Sequence, residues 1–497
     1  MSSRPFNTSP FSQKPATKVD DITGSIGGPI IKDRWHFYTG YEWVQRDLGG
    51  EPQRLITVSQ ANQQALIAAG VPASAFPTAI PASQKVNFFI FRTDAQLNTN
   101  NRLSGRFNYF KNLSPDNIGG GLTTLERSID FLDKSYSIGL QLVSTFNQNF
   151  LNELRYQYAK RDSRNIANSH SGTGPSIVIT GVANFGAPEN ADTIAPLEIT
   201  NQMQDNLTWT NGDHVAKFGF GFNHIADTRR SNSFVRYTFA SIANYVSAKT
   251  GANPFAYTRF DQIFGDTNIE FKSTFYNFFA QDDWKITRKL KLNYGVRYDL
   301  YNIPKADPTA VYEPSRKFKV DKNNFAPRLG LVYGIRDGNR PTVIRASAGI
   351  YYDTVYLDTY QRALQGNGSP KSFTVSFTNP ALPGAPGFPN NVSTGTPPRQ
   401  NITGIASDFE NMYAIHGNVQ VEQALTQDLS VTVGYIHSSG RHIPIYRSVN
   451  RINPVGALAD GRPIYSDTVS AATRMDPRFN DILLAEASGN SNYNAFT

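Results

Sequence analysis

The stretch TRKLKLNYGVRYDL, residues 287–300, alternates without a slip. Leu290, Leu292, Tyr294, Val296, Tyr298 and Leu300 are apolar, and Lys291, Asn293, Gly295, Arg297 and Asp299 stand between them. A strict period of two specifies a strand with one apolar and one wet face. The run is about twice as long as the mean strand of a soluble protein. It asks for an environment that needs long strands and tolerates charge on one face.

The preceding residues supply its partner. In EFKSTFYNFFAQDDWKI (270–286), Tyr276, Phe278, Ala280, Trp284 and Ile286 share one face, broken once by Asp282, and a tight turn near Arg288 leads into the second strand. Six further pairs follow the same plan: 25–31 with 35–45, 86–98 with 102–111, 134–146 with 151–160, 199–210 with 214–227, 325–336 with 342–352, and 413–425 with 429–437. The joints within pairs are short and polar, such as Lys32-Asp33-Arg34 and Asn211-Gly212-Asp213. Asn-Gly adopts positive φ at little cost. The connections between pairs run from about 20 to about 55 residues and are filled with Gly, Pro, Asn and Ser, unusual in a compact soluble domain. Short helices are expected within them at 58–70, 239–251 and 354–366, each ending at Gly.

Composition agrees. The 33 Phe and 24 Tyr favour strands, and the 38 Gly and 29 Pro supply turns. With no cysteine, disulfides, thiolate metal sites and cysteine nucleophiles are excluded. There is no apolar run of about 18 residues, so a transmembrane helix is excluded and a barrel is not. The net charge of +8 is scattered rather than clustered, which reads as general surface charge and not as a nucleic-acid interface. The N-terminus lacks a basic start followed by an apolar stretch and is not a secretory signal.

A transmembrane β-barrel explains strand length, alternating faces and the asymmetry of connections together. A tilted strand needs roughly 9 to 11 residues to cross the hydrocarbon layer, and closure removes the unpaired edges that lipid forbids. Short turns then lie on the periplasmic side and long loops outside. A soluble sandwich or propeller also alternates, but gives no reason for the connections to alternate between short and long. On this reading Lys291, Arg297, Asp299 and Arg345 face a wet lumen. Trp35, Trp43, Trp284, Tyr298 and Tyr435 form aromatic girdles at the interfaces.

Several segments resemble one family. GSIGGPIIKDRWHFYTGYEWVQR (24–46), QLNTNNRLSGRFNY (96–109), FFAQDDWKITRKLKLNYGVRYD (278–299), NNFAPRLGLVYGIRDGNRPTVIRASAGIYYD (323–353) and the terminal SNYNAFT (491–497) are similar, in this order, to the barrel region of TonB-dependent outer-membrane receptors of the Oar-like, acidobacterial type. Such receptors have a signal peptide, often a carboxypeptidase-regulatory-like domain, a plug and a barrel of about 22 strands. The resemblance implies an all-β, antiparallel transmembrane barrel, incomplete, with about 14 of those strands here. Residues 1–23 are expected to be an outer-loop remnant and 24–497 a partial barrel lacking plug, first strand and C-terminal strands, so that the sequence is a fragment.

No catalytic arrangement is present. The seven histidines form no HExxH, no phosphate loop or nucleophile elbow appears, and Asp282 and Asp283 point to opposite faces of a strand. No enzyme, cofactor or metal is expected. By resemblance the chain is part of a receptor that binds a bulky substrate (glycan, peptide or metal chelate) through its outer loops and imports it. Phe255, Tyr257, Tyr356 and Tyr360 are the candidate contacts, in loops 230–269 and 354–409; a third candidate loop spans 164–198. Its partners would be outer-membrane lipid, an unknown ligand, and TonB only through the missing plug. The competing reading is a passive porin-like, structural or adhesive surface barrel without TonB coupling.

Overall fold

The computed structural model describes residues 18–48, 51–336, 338, 340–353, 356–369, 371–392 and 399–497. Its wall consists of β1 (Lys18–Ile31), β2 (Trp35–Asp47), β3 (Ser83–Asn98), β4 (Asn101–Ser114), β5 (Asp130–Thr145), β6 (Phe150–Ile166), β7 (Thr193–Asn211), β8 (His214–Arg230), β9 (Asn268–Lys285), β10 (Leu290–Asn302), β11 (Phe325–Arg336), β12 (Thr342–Tyr352), β13 (Tyr413–Ala424), β14 (Ser430–Ser448) and β15 (Asp481–Phe496). Each pairs antiparallel with its neighbour in chain order. A sixteenth strand, Asn401–Ile405, runs parallel to the start of β15. The wall therefore holds one strand more than the pairs read from sequence, because the terminal SNYNAFT is the end of β15 and pairs with β14. Lys18–Thr23, assigned above to a loop, are part of β1 and pair with β2. The rest of the expected loop remnant, 1–17, lies outside the described residues. Among the described residues the sheet does not close on itself.

Wall strands run from 11 to 19 residues, enough to cross a hydrocarbon layer and extend beyond it. The short joints are made by local side chains. Asp33 and Gly212 adopt φ of 58° and 56°. Asn147 Oδ1 accepts the amides of Asn149 and Phe150 at 2.8 and 3.1 Å, and Thr287 Oγ1 accepts those of Lys289 and Leu290 at 3.1 and 3.0 Å. Of the joint 337–341, residues 337 and 339 lie outside the described set.

Directly paired residues share a face, so the register fixes which side chains form one surface. Leu142 stands opposite Leu103 and Leu154, Phe218 opposite Leu207 and Ala280, Val296 opposite Ala280 and Pro327, and Val419 opposite Ala346 and Tyr435. This surface is apolar from β1 to β15 and leaves many large side chains exposed, among them Ile26, Leu140, Phe278, Val296, Leu329 and Val433. Two acids within it are bonded there: Asp205 accepts from Asn152 at 2.7 Å, and Asp282 is bonded to His214 at 2.6 Å and Tyr294 at 3.0 Å. The opposite surface carries the charged and amide side chains. A solvated sheet would not leave its apolar face uncovered over this width.

Candidate functional site

The long connections gather at one end of the wall and fold. From 167–192 come the strands Ser176–Ile179 and Ala183–Gly186, from 231–267 the strands Phe234–Phe239 and Arg259–Gly265, and from 353–412 the strand Ser372–Phe377. They build a separate five-stranded sheet. Around it pack the helices α1 (Gln60–Ala68) and α2 (Ile242–Lys249), started by Ser59 and Ser241, whose side chains cap the amides of Asn62 and Asn244. Leu66, Ile179, Tyr237, Phe239, Phe260 and Val375 are almost wholly buried in its core. Each such side chain contributes about 1.5–3 kcal/mol by leaving water. The loops thus form a folded cap.

A ladder of ion pairs joins the connections 115–129, 167–192 and 231–267, and a serine hydroxyl ties in 353–412. Glu189 accepts hydrogen bonds from Arg127 at 2.7 Å, Ser176 at 2.7 Å and Arg236 at 2.8 Å. Arg236 also donates to Asp261 at 2.8 Å, and Asp261 accepts from Arg259 and from Ser376, each at 2.8 Å. Burial pushes both carboxyls up, but the hydrogen bonds and the guanidinium charges outweigh it and hold each below its ordinary value.

A second part of the same end folds inward. Helix α3 (Leu357–Gln365) and the strand Asn401–Ile405 lie against the polar-side surface of the wall. Tyr360, Ala363, Ile405 and Phe409 pack with Phe275, Tyr301 and Ile225, which the register puts on the same face as Arg297 and Asp299. Residues 354 and 355 of the expected helix lie outside the described set.

The four polar residues singled out in the wall share that face. Arg297 and Asp299 pair at 2.8 Å, Lys291 reaches Asp283 at 3.5 Å, and Arg345 reaches Glu422 at 3.5 Å. The same face carries a shallow cleft of about 560 Å³ lined by Arg92, Arg106, Arg155, Gln141, Gln157 and Gln204. Trp35, Trp43, Trp284, Tyr298 and Tyr435 all occupy the apolar face. Trp35 and Trp284 sit at the short-turn ends, and Trp43 at the long-loop end. Trp209, not singled out from sequence, joins the first group, stacked on Phe150 with ring centroids 6.4 Å apart.

Of the four aromatic loop residues, two are exposed and two are not. Phe255 and Tyr356 are 45% and 59% exposed, whereas Tyr257 and Tyr360 are both 2% exposed. Tyr257 donates its hydroxyl to Pro386 O at 2.8 Å inside the cap core, and Tyr360 anchors α3 to the wall. The expectation that these two touch ligand is corrected: packing consumes their surfaces. The ladder residues Arg127, Glu189, Arg236 and Asp261 were not anticipated. Their sequence trace is slight, a charge alternation at Arg259 and Asp261 within a short strand.

A wide antiparallel wall with an uncovered apolar face, short turns at one end and a folded cap at the other defines a β-barrel of the outer-membrane type. The chain belongs to the outer membrane beta barrel domain family, whose model matches residues 51–497. No curated protein matches it. Among solved structures it is similar to the outer membrane transporter YddB from Escherichia coli (12% identity, TM-score 0.61, covering 97% of this chain and 51% of that one). It is also similar to the siderophore receptor PirA from Acinetobacter baumannii (12%, 0.53, 97% and 57%). A third is a variant of the ferric enterobactin receptor of Pseudomonas aeruginosa in complex with enterobactin (11%, 0.50, 97% and 58%). At these identities the likeness is one of fold. The chain spans little more than half the length of these structures. The protein is located in the bacterial outer membrane.

Proposed function

We propose that the chain forms the wall and outer cap of an importer that captures a bulky solute (a glycan, peptide or metal chelate) at its loops and passes it along the polar face. On this reading the apolar face touches lipid, and Lys291, Arg297, Asp299 and Arg345 line the wet path. Trp35, Trp43, Trp284, Tyr298 and Tyr435 mark the interfaces. Exposed Phe255 and Tyr356 meet the solute, and energy arrives through TonB. The observation that carries the reading is the cap: loops from four connections share one core, and a ladder of ion pairs and hydrogen bonds crosses it over the end of the wall. A passive pore gains nothing from a folded cover at its mouth, whereas a capture device needs a shaped surface on rigid elements.

Cysteine labelling tests the orientation, since the chain has no native cysteine. In intact cells a membrane-impermeant maleimide should label Tyr356→Cys and Phe255→Cys but not Arg34→Cys at a short turn. Equal labelling at both ends would overturn the membrane reading. Deletion of the gene should abolish uptake of one of these solute classes, restored by complementation; unchanged uptake of all of them would overturn the importer.

A further inference from the structure

The contact between α3 and the wall leaves polar atoms unused. Asp227 Oδ1, Ser273 Oγ, Asn223 Oδ1 and Asn277 Oδ1 are buried with no hydrogen-bond partner among the described residues, and so is Gln361 Oε1 on α3 itself. The register puts the first four in one zigzag row. Asp227 pairs with Phe271, Ser273 with Ile225, Asn223 with Phe275, and Asn277 with Gly221, so consecutive members are diagonal neighbours on one face. Phe275 and Ile225, interleaved with this row, belong to the same apolar cluster as Tyr360 and Ala363. Asp227 and Ser273 are each 2% exposed. An unsatisfied buried acceptor costs about 1–3 kcal/mol, so a row of them beneath a helix is an expensive way to close a surface and an inexpensive one to open.

The unpaired Oδ1 atoms of Asp227, Asn223 and Asn277 only accept, and Ser273 Oγ can accept or donate, so a ligand rich in hydroxyls suits them better than an anionic chelate. The surrounding charges nearly cancel. Asp227 pairs with Arg229 at 3.0 Å, and neighbouring Glu198 lies beside Arg161, which is itself held by Asp133 at 2.8 Å. Deeper along the same face the wall is amide-rich: Gln202, Gln204 and Asn206 on β7, then Asn277 and Gln281 on β9. Phe279, two residues from Asn277, lies across Gly219 so closely that a Cβ there would meet its ring. Neutral acceptors and donors beside an aromatic face suit a ligand with hydroxyls at its edges and an apolar ring surface.

We propose that the wall beneath α3 is a saccharide subsite: the acceptor row Asp227, Ser273, Asn223 and Asn277 takes hydroxyl protons of a neutral oligosaccharide once the strap lifts, and Phe279 takes its ring face. This rests on the importer reading and narrows its solute class. The test is calorimetric titration of the purified protein in nanodiscs with maltoheptaose, xylohexaose and laminarihexaose, beside spermine as a cation and a ferric catecholate as an anion. At least one oligosaccharide should bind, and Asn223→Ala with Asn277→Ala should weaken it about tenfold or more, while Asn418→Ala on the far wall should not. A second arm does not depend on tolerance of the alanines. Ala363→Cys and Ile225→Cys, joined by a short bismaleimide, should hold the strap down and abolish binding, and the unjoined pair should bind. Binding of spermine or the chelate alone, saccharide binding indifferent to both arms, or no saccharide binding would each overturn the subsite. Uptake of another solute class in cells would leave the importer standing.

Discussion

Val296→Lys sets the two faces of the wall against each other. Val296 is the midpoint of the 13-residue strand β10. Six residues at about 3.3 Å each, tilted about 45°, place it about 14 Å above the short-turn end, near the middle of a hydrocarbon layer about 30 Å thick. Its side chain is 45% exposed and directly paired with Ala280 and Pro327; the one acid near it on this face, the diagonal neighbour Asp282, is already bonded to His214 and Tyr294. A lysine at the lipid midplane costs about 2–4 kcal/mol, which is about 30- to 700-fold in the folded-to-unfolded ratio. Ser347→Lys is the matched control, at the centre of β12 on the other face, opposite Gly330 and Asn418; it should change stability by less than about 0.5 kcal/mol. The assay is urea unfolding in lipid vesicles, followed by tryptophan emission. Equal cost for the two variants, or a larger cost for Ser347→Lys, would refute the assignment of the apolar face to lipid.

The cap should have its own acid limit. Glu189 and Asp261 are held below their ordinary values in the folded cap, so their contribution is complete above about pH 4.5, the ordinary carboxylate range, and is lost as pH falls through the lower folded values. Limited proteolysis of the loops should therefore be constant from neutral pH to about 4.5 and rise below it; a rise between pH 7 and 5 would contradict the ladder. Glu189→Gln should weaken the cap by about 1–3 kcal/mol at neutral pH, seen as faster loop cleavage with the wall intact. Tyr360→Ala should destabilise the α3 region by about 3–5 kcal/mol and speed its amide exchange. Tyr356→Ala should leave exchange unchanged, and equal effects of the two would mean that burial of Tyr360 anchors nothing.

The wall was legible in the sequence because its rules are local. A strand between lipid and a wet interior must alternate residue by residue, and Leu290 to Leu300 does so without any knowledge of its neighbours. The short joints are equally local, since Asp33, Gly212, Asn147 and Thr287 act on amides within three residues. The cap obeys the opposite condition. Its strands have 4 to 7 residues, too short for a period to register, and their partners come from distant connections: Phe260 pairs with Phe377 and Tyr237 with Ile177. Gly, Pro and Asn around them mark loops, which is correct for their place outside the membrane and silent about their packing. Tyr257 and Tyr356 look alike in sequence for the same reason, because what buries Tyr257 is the carbonyl of Pro386 and a core drawn from other loops.

The division has a physical basis that bears on how the protein changes. Inside the hydrocarbon layer every backbone group must be satisfied by the adjacent strand, so the wall is assembled from nearest neighbours and any strand of the right period serves. The cap is a water-facing fold in which Glu189 must find Arg127 and Arg236 from two other connections at once. Its specificity is therefore held jointly by several loops. A single loop exchanged for one of equal length keeps the wall intact and breaks the ladder. Shape at the mouth is then altered by coordinated change in four loops, whereas the face along which solute moves is altered one alternate residue at a time.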